Sequence, residues 1–200
     1  MKRIGLTGGI SCGKSSVAKI LCSMGVFVLD ADQVARDIVQ KGQPALDELV
    51  LEFGDGILDE EGFLNRKALG AIVMENPQSR QKLNTITHPK IRIAIDKQLN
   101  EWESLGAHVA VVEAALMVET KSYLLYDALI VVTCQPDIQI ERLMERERFD
   151  KETAQKWIES QLPLAQKEAV ADALIDNSFD RKTLEHTVQK KWNELLNSLR

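Results

Sequence analysis

The residues best suited to chemistry come early in the chain. Gly8-Gly9-Ile10-Ser11-Cys12-Gly13-Lys14-Ser15-Ser16 fits the pattern glycine, four residues, glycine, lysine, serine. Glycines let a chain curl so that successive N–H groups point at one anion. A helix opening near Gly13 adds its positive dipole end. Lys14 could then reach the outer phosphates of a nucleoside triphosphate such as ATP, and the Ser15 hydroxyl could ligate the accompanying Mg²⁺. The expected phosphate-binding residues are therefore Gly9, Ile10, Ser11, Cys12, Gly13, Lys14, Ser15 and Ser16. The plain alternative is a glycine turn between strand and helix, with Lys14 solvated on the first helical turn.

Carboxylates and guanidinium groups follow at telling places. Asp30-Ala31-Asp32 ends an apolar run, and the carboxyl ends of strands are where open α/β sheets bind ligands. A kinase acting on a hydroxyl gains from a carboxylate that accepts the hydroxyl proton, so Asp32 is either a general base or simply a helix cap. Arg36, one turn on, either pairs with Asp32 or meets an anionic substrate. Glu113 closes a later apolar run, as a Mg²⁺-side carboxylate or an ordinary rim residue. Gln139, Arg142 and Arg146 lie three and four apart on one helical face, with Arg148 beyond. Guanidinium forks suit phosphate oxygens, but Glu141, Glu145 and Glu147 lie among them as possible partners. Arg66 and Arg92 are candidates to grip an anionic substrate, whereas His88 alone reads first as structural.

The elements that must position these groups alternate along the chain. The runs at Ile4-Gly5-Leu6-Thr7, Val26-Phe27-Val28-Leu29, Val109-Ala110-Val111-Val112, Ala128 to Thr133 and Ala173-Leu174-Ile175 are continuously apolar. Such runs predict strands buried on both faces of a parallel sheet. The first carries the glycine loop, and a helix follows it over residues 16–24. Leu184, Val188, Trp192, Leu195 and Leu199 mark an amphipathic closing helix. The expected fold is α/β: a three-layer P-loop core with a five-stranded parallel sheet, a helical substrate subdomain and a helical lid. Its core takes residues 1–33, 106–135 and 171–200, the helical insertion about 34–105 and the lid about 136–170. Trp102, Trp157 and Trp192 are expected to pack apolar faces.

Composition narrows the class. A formal net charge of −5 argues against general nucleic-acid binding, which wants a basic face. No run of ~18 apolar residues exists to span a membrane. Three cysteines with no metal-type spacing read as free thiols in a reducing cytoplasm. Met1-Lys2-Arg3 leads straight into a strand, so no signal peptide is expected.

Taken together, these residues resemble the dephospho-coenzyme A kinase family nearly end to end. The resemblance rests on Ile4 through Ser15, on Asp30-Ala31-Asp32 with Ala35-Arg36, and on Leu64-Asn65-Arg66 with Leu69. It continues through Pro77, Arg80, Leu83 and His88-Pro89, then Gln139, Arg142-Leu143 and Arg146, then Gln161, Ala171-Asp172 and Ile175-Asp176-Asn177. It implies transfer of the ATP γ-phosphoryl group to the ribose 3′-hydroxyl of dephospho-coenzyme A. It also implies Asp32 as general base and Lys14, Arg142 and Arg146 as the phosphoryl-stabilising cations. Asn177 would lie near the adenine. Arg36, Arg66, His88 and Arg92 would join Asp32 on the substrate side, with Ser15 and Glu113 toward Mg²⁺. The expected assembly is a monomer or small homo-oligomer.

The chain departs from the family pattern in two places. Ser11-Cys12 stands where a small Gly or Ala and then Ser are usual, and Glu113-Ala114-Ala115-Leu116-Met117 lacks the usual proline. Glu119 still matches the carboxylate that closes this stretch. Cys12, near a helix N-terminus and Lys14, is expected to carry thiolate character and to be a reactive site shielded by ATP. Two other classes remain open on sequence: a P-loop kinase for another small acceptor, and a non-enzymatic nucleotide switch. The guanine-reading Asn-Lys-x-Asp motif of GTPase-type switches is absent.

Overall fold

The structure, a computed structural model, describes residues 1–199. Its centre is a five-stranded sheet in the order β2-β3-β1-β4-β5. The strands are β1 (Lys2–Gly8), β2 (Phe27–Asp30), β3 (Val109–Glu113), β4 (Ala128–Thr133) and β5 (Ala173–Asp176). β1 pairs in parallel with β3, Leu6 opposite Glu113, and with β4, Gly8 opposite Val132. β4 pairs in parallel with β5. The carboxyl end of β1 thus opens between the ends of β3 and β4, at the topological switch point of the sheet.

Helix α1 (Lys14–Ser23) follows the glycine loop, and α9 (Arg181–Ser198) closes the chain. Between β4 and β5 come α6 (Pro136–Glu147), α7 (Lys151–Glu159) and α8 (Leu164–Glu168). The apolar faces of α1 and α9 meet the sheet in one core. Ile4, Leu6, Val17, Leu21, Ile130 and Val132 are buried there beside Leu184, Val188, Trp192 and Leu195. Leu199 packs on its rim, completing the predicted stripe of the closing helix.

One expectation needs correction. Only the three central strands are buried along most of their length. β2 leaves Phe27 exposed, and β5 alternates buried and exposed residues with Leu174 outward. Edge strands have a neighbour on one side only and less cover, so an apolar run there is no sign of two buried faces. Trp157 is about half exposed, at 49 %, and stacks on Phe149 with ring centroids 5.7 Å apart. Trp192 does pack into the core.

The chain divides into two compact units, Met1–Leu29 with the chain from Leu105 onward, and Asp30–Ser104. The second unit is helical: α2 (Ala31–Asp37), α3 (Pro44–Phe53), α4 (Arg66–Glu75) and the 28-residue α5 (Pro77–Ser104). Val39, Ala45, Leu49, Ile57 and Leu69 form its own core, with Leu83 and Ile86 of α5 packed against it. Lys90 and Lys82 of α5 reach Glu48 and Glu52 of α3 at 2.6 and 2.5 Å. No helix among the described residues is long and apolar enough to cross a membrane.

Gly8 shows how tightly the loop-bearing strand is held. A Cβ built there would lie 2.4 Å from the Val132 carbonyl oxygen of β4. That is backbone against backbone, so an added methyl must part the two central strands. Gly8→Ala should cost roughly 2–3 kcal/mol of stability. Urea unfolding monitored by circular dichroism measures it, and an unchanged midpoint would contradict the packing.

Candidate active site

The glycine loop owes its shape to two left-handed residues and to side chains from the last third of the chain. Ser11 has φ 56° and Gly13 has φ 91°. Glycine suits this region, whereas Ser11 adopts it at a cost of roughly 1 kcal/mol. A Cβ at Gly13 would also lie 2.1 Å from Asn177 Nδ2 and so would displace that side-chain amide. Three amide side chains hold the loop's backbone. Gln139 Nε2 donates to the Ile10 carbonyl at 2.8 Å, and the Ile10 N–H donates to Gln161 Oε1 at 3.2 Å. Asn177 Nδ2 donates to the Cys12 carbonyl at 2.8 Å. Within the loop, Cys12 N–H donates to the Gly9 carbonyl, and Ser16 and Val17 N–H donate to Gly13.

The N–H groups of Gly13, Lys14 and Ser15 find no protein acceptor among the described residues. They open the ten-residue α1, where helix dipole and unpaired donors together favour an anion. Lys14 Nζ stands 3.9 Å from Glu113 Oε1, and Ser15 Oγ donates to the same oxygen at 3.3 Å. Glu113 is nearly buried at the end of β3. The loop, its lysine, its serine and the β3 carboxylate therefore form one cluster.

On α6, Gln139 and Arg142 turn inward. The Arg142 guanidinium lies beside Cys134, and its Nη1 is buried without a hydrogen-bond partner. Arg146 is more exposed and its Nε donates to Glu147 at 2.8 Å, one of the carboxylate pairings the sequence left open.

In the second unit, Asp30 rather than Asp32 caps α2. Asp30 Oδ1 accepts from the N–H groups of Asp32 and Gln33 at 2.8 and 3.0 Å. Asp32 sits exposed in the first turn of that helix. Arg66 is exposed at the start of α4 and donates from Nη2 to the Arg36 carbonyl at 3.5 Å. His88 is an exposed residue within α5, next to Pro89. Arg92 is exposed one turn further on, with Nε 3.9 Å from Asp96 Oδ2.

Cys12 does not behave as expected. Left-handed backbone on either side of it sends its side chain into the core, where it has no exposed surface. Its sulfur lies 3.4 Å from that of Cys134. The hydrogen bond with Cys134 and burial push the Cys12 thiol far up, away from thiolate character. The same hydrogen bond, helped by Arg142, draws the Cys134 thiol down against burial. Cys12 thus helps form the floor of the loop.

Sequence reasoning passed over Lys167, which has no exposed surface and pairs with Glu119 at 2.6 Å. Lysine is ordinarily a surface residue, and nothing in the local pattern marks this one as buried.

A glycine loop between β1 and α1 at a switch point, with unpaired amides, lysine, serine and carboxylate at its mouth, defines a P-loop kinase. A shikimate kinase from Acinetobacter baumannii shares the fold, with a TM-score of 0.54 at 15% identity over 99% of this chain and 94% of that one. The chain belongs to the dephospho-CoA kinase family, whose model matches residues 2–182. It is 40% identical to the dephospho-CoA kinase of Bacillus anthracis over 95% of this chain and 96% of that one. It also superposes on a dephospho-CoA kinase from Campylobacter jejuni with a TM-score of 0.74, at 28% identity and full coverage of both chains. The protein is therefore an enzyme, a phosphoryl-transferring kinase.

The burial of Cys12 gives a direct test. An alkylating agent added to the folded protein should label exposed Cys22 first and leave Cys12 unmodified, with nucleotide binding intact. Peptide mass spectrometry reads the order. Rapid Cys12 labelling with parallel loss of nucleotide binding would restore the reactive-thiol reading.

Proposed function

We propose that the chain transfers the γ-phosphoryl group of ATP to the ribose 3′-hydroxyl of dephospho-coenzyme A. The observation that carries this is the loop's open amides, gathered with Lys14, Ser15 and Glu113 at the mouth of the sheet. Family membership supplies the acceptor class. The loop binds the phosphates through its amides and dipole, and Lys14 offsets charge on the outer ones. Arg142, with a buried and unpartnered nitrogen, is the cation aimed at the transferred group, and Arg146 assists from the same helix. Asn177 supports the nucleotide from beneath by fixing the loop.

Asp32 takes the acceptor's proton. The 3′-oxygen forms a bond to the γ-phosphorus as the bond from that phosphorus to the β,γ-bridging oxygen breaks, and ADP leaves with the electron pair. Asp30 is committed to the helix start through Oδ1, which leaves the base role to Asp32. Arg36, Arg66, His88 and Arg92 bind the acceptor and its anionic groups.

Ser15 and Glu113 supply adjacent hard oxygen donors, a set that fits Mg²⁺. No group of three or more His, Cys, Asp or Glu side chains able to hold a metal occurs among the described residues. Mg²⁺ is held largely through substrate phosphates and water, so two protein donors suffice for it. Bound there, the ion would neutralise phosphate charge. Three free thiols fit work in the cytoplasm.

ADP release from Mg-ATP should require dephospho-coenzyme A and fail with AMP, adenosine or no acceptor, and the product should carry its new phosphate at the 3′ position. Release with a different acceptor instead would keep the kinase and discard this substrate. Nucleotide binding without any acceptor-dependent release would favour a switch. Asp32→Asn should leave ATP affinity nearly unchanged and lower kcat by about 100-fold or more. An unaltered kcat would remove Asp32 as the base.

A further inference from the structure

Lysine is among the side chains least expected in a protein interior, because its ammonium loses water on burial. Lys167 of α8 is nevertheless fully buried. Its Nζ lies 2.6 Å from Glu119 Oε1 and donates to the Ala115 carbonyl at 3.2 Å. Both partners belong to the turn that follows β3. The Ala115 carbonyl also accepts from Thr7 Oγ1 at 3.2 Å, and Ala114 N–H donates to the Leu6 carbonyl of β1 at 3.0 Å. β1 therefore fixes the start of the turn, and Lys167 ties that start to its far end at Glu119.

The turn begins at the residue after Glu113, whose carboxylate stands beside Ser15 and Lys14. Its sequence, Ala114-Ala115-Leu116-Met117, contains no proline to stiffen it. Its conformation is left to hydrogen bonds and to this ion pair. The segment that carries Lys167 touches the site elsewhere too. Glu168 accepts from Thr133 Oγ1 at the end of β4, and Gln161 accepts from the Ile10 N–H.

We propose that Lys167 is a positioning residue for the kinase reaction. Through Glu119 and the Ala115 carbonyl it holds the turn after β3, and so keeps the Glu113 carboxylate against Ser15 and Lys14. It acts only through these neighbours and touches neither nucleotide nor acceptor. A buried ion pair adds little net stability over well-packed apolar groups. Neither Glu119 oxygen has a hydrogen-bond partner among the described residues, so Lys167 holds the far end of the turn through charge at 2.6 Å. Loss of such outer support commonly weakens metal affinity 10- to 100-fold. This inference rests on the reading that Glu113 and Ser15 face a nucleotide-bound Mg²⁺.

The test removes both charges at once. Lys167→Met/Glu119→Leu leaves no orphaned buried charge, so its melting temperature should stay near that of the parent. ADP affinity, measured by calorimetry in EDTA, should also be unchanged. The Mg²⁺ concentration that half-saturates the ADP complex should rise about tenfold. Glu119→Gln keeps the test open if the double variant does not fold: its amide oxygen can still accept from the Lys167 ammonium, although loss of the counter-charge lowers stability. It should raise the Mg²⁺ requirement roughly threefold at unchanged ADP affinity in EDTA. A parental Mg²⁺ requirement in whichever variant folds overturns the positioning role. Parent protein whose ADP affinity ignores Mg²⁺ overturns the metal reading itself, and this inference with it.

Discussion

A loop that points its amides at an anion must place its other polar backbone groups somewhere. Here three side-chain amides meet that need. Gln139 and Gln161 engage the carbonyl and N–H of Ile10, and Asn177 engages the carbonyl of Cys12. Without them, these groups would face the interior unpaired, at about 1–3 kcal/mol each. The bonds also hold Ser11 in a left-handed conformation that its side chain disfavours. Sheet order, α6, the segment before α8 and the end of β5 share one task at this point. They deliver amides to a loop formed at the other end of the chain.

Much of this was legible in sequence, for identifiable reasons. The central strands read correctly because they are covered on both faces, so their apolar runs are unbroken. The edge strands β2 and β5 looked alike in sequence but are only partly covered. The closing helix announced itself through Leu184, Val188, Trp192 and Leu195, all buried as spaced. Side-chain direction in irregular backbone was not legible. Nothing in the letters around Cys12 says that it points down rather than toward the nucleotide, because that depends on dihedral signs at Ser11 and Gly13. Lys167 was hidden for a different reason. Its burial is tolerable only because Glu119, 48 positions earlier, is folded against it.

The two aspartates at the end of β2 make a related point. In sequence, Asp32 reads equally as a base or as the cap of the following helix. In the structure the two differ, because Asp30 sits at the position whose side chain can reach the first free amides of α2. The helix start therefore separates them: Asp30 caps the backbone, and Asp32 stands exposed in the first turn. The two α6 arginines separate in the same way. Arg142 is turned toward Cys134, while Arg146 shares its charge with Glu147 on the surface.

The braces of the loop also have a temporal consequence. The complete phosphate-binding motif lies within the first 16 residues, but Cys134, Gln139, Gln161 and Asn177 come much later. Contacts of such long sequence separation form late, since the intervening chain must first be ordered. During synthesis, the loop residues emerge well before the side chains that brace them, so the loop's braces are complete only once Asn177 has been made. The order of the loop is thus set by the part of the chain made after it.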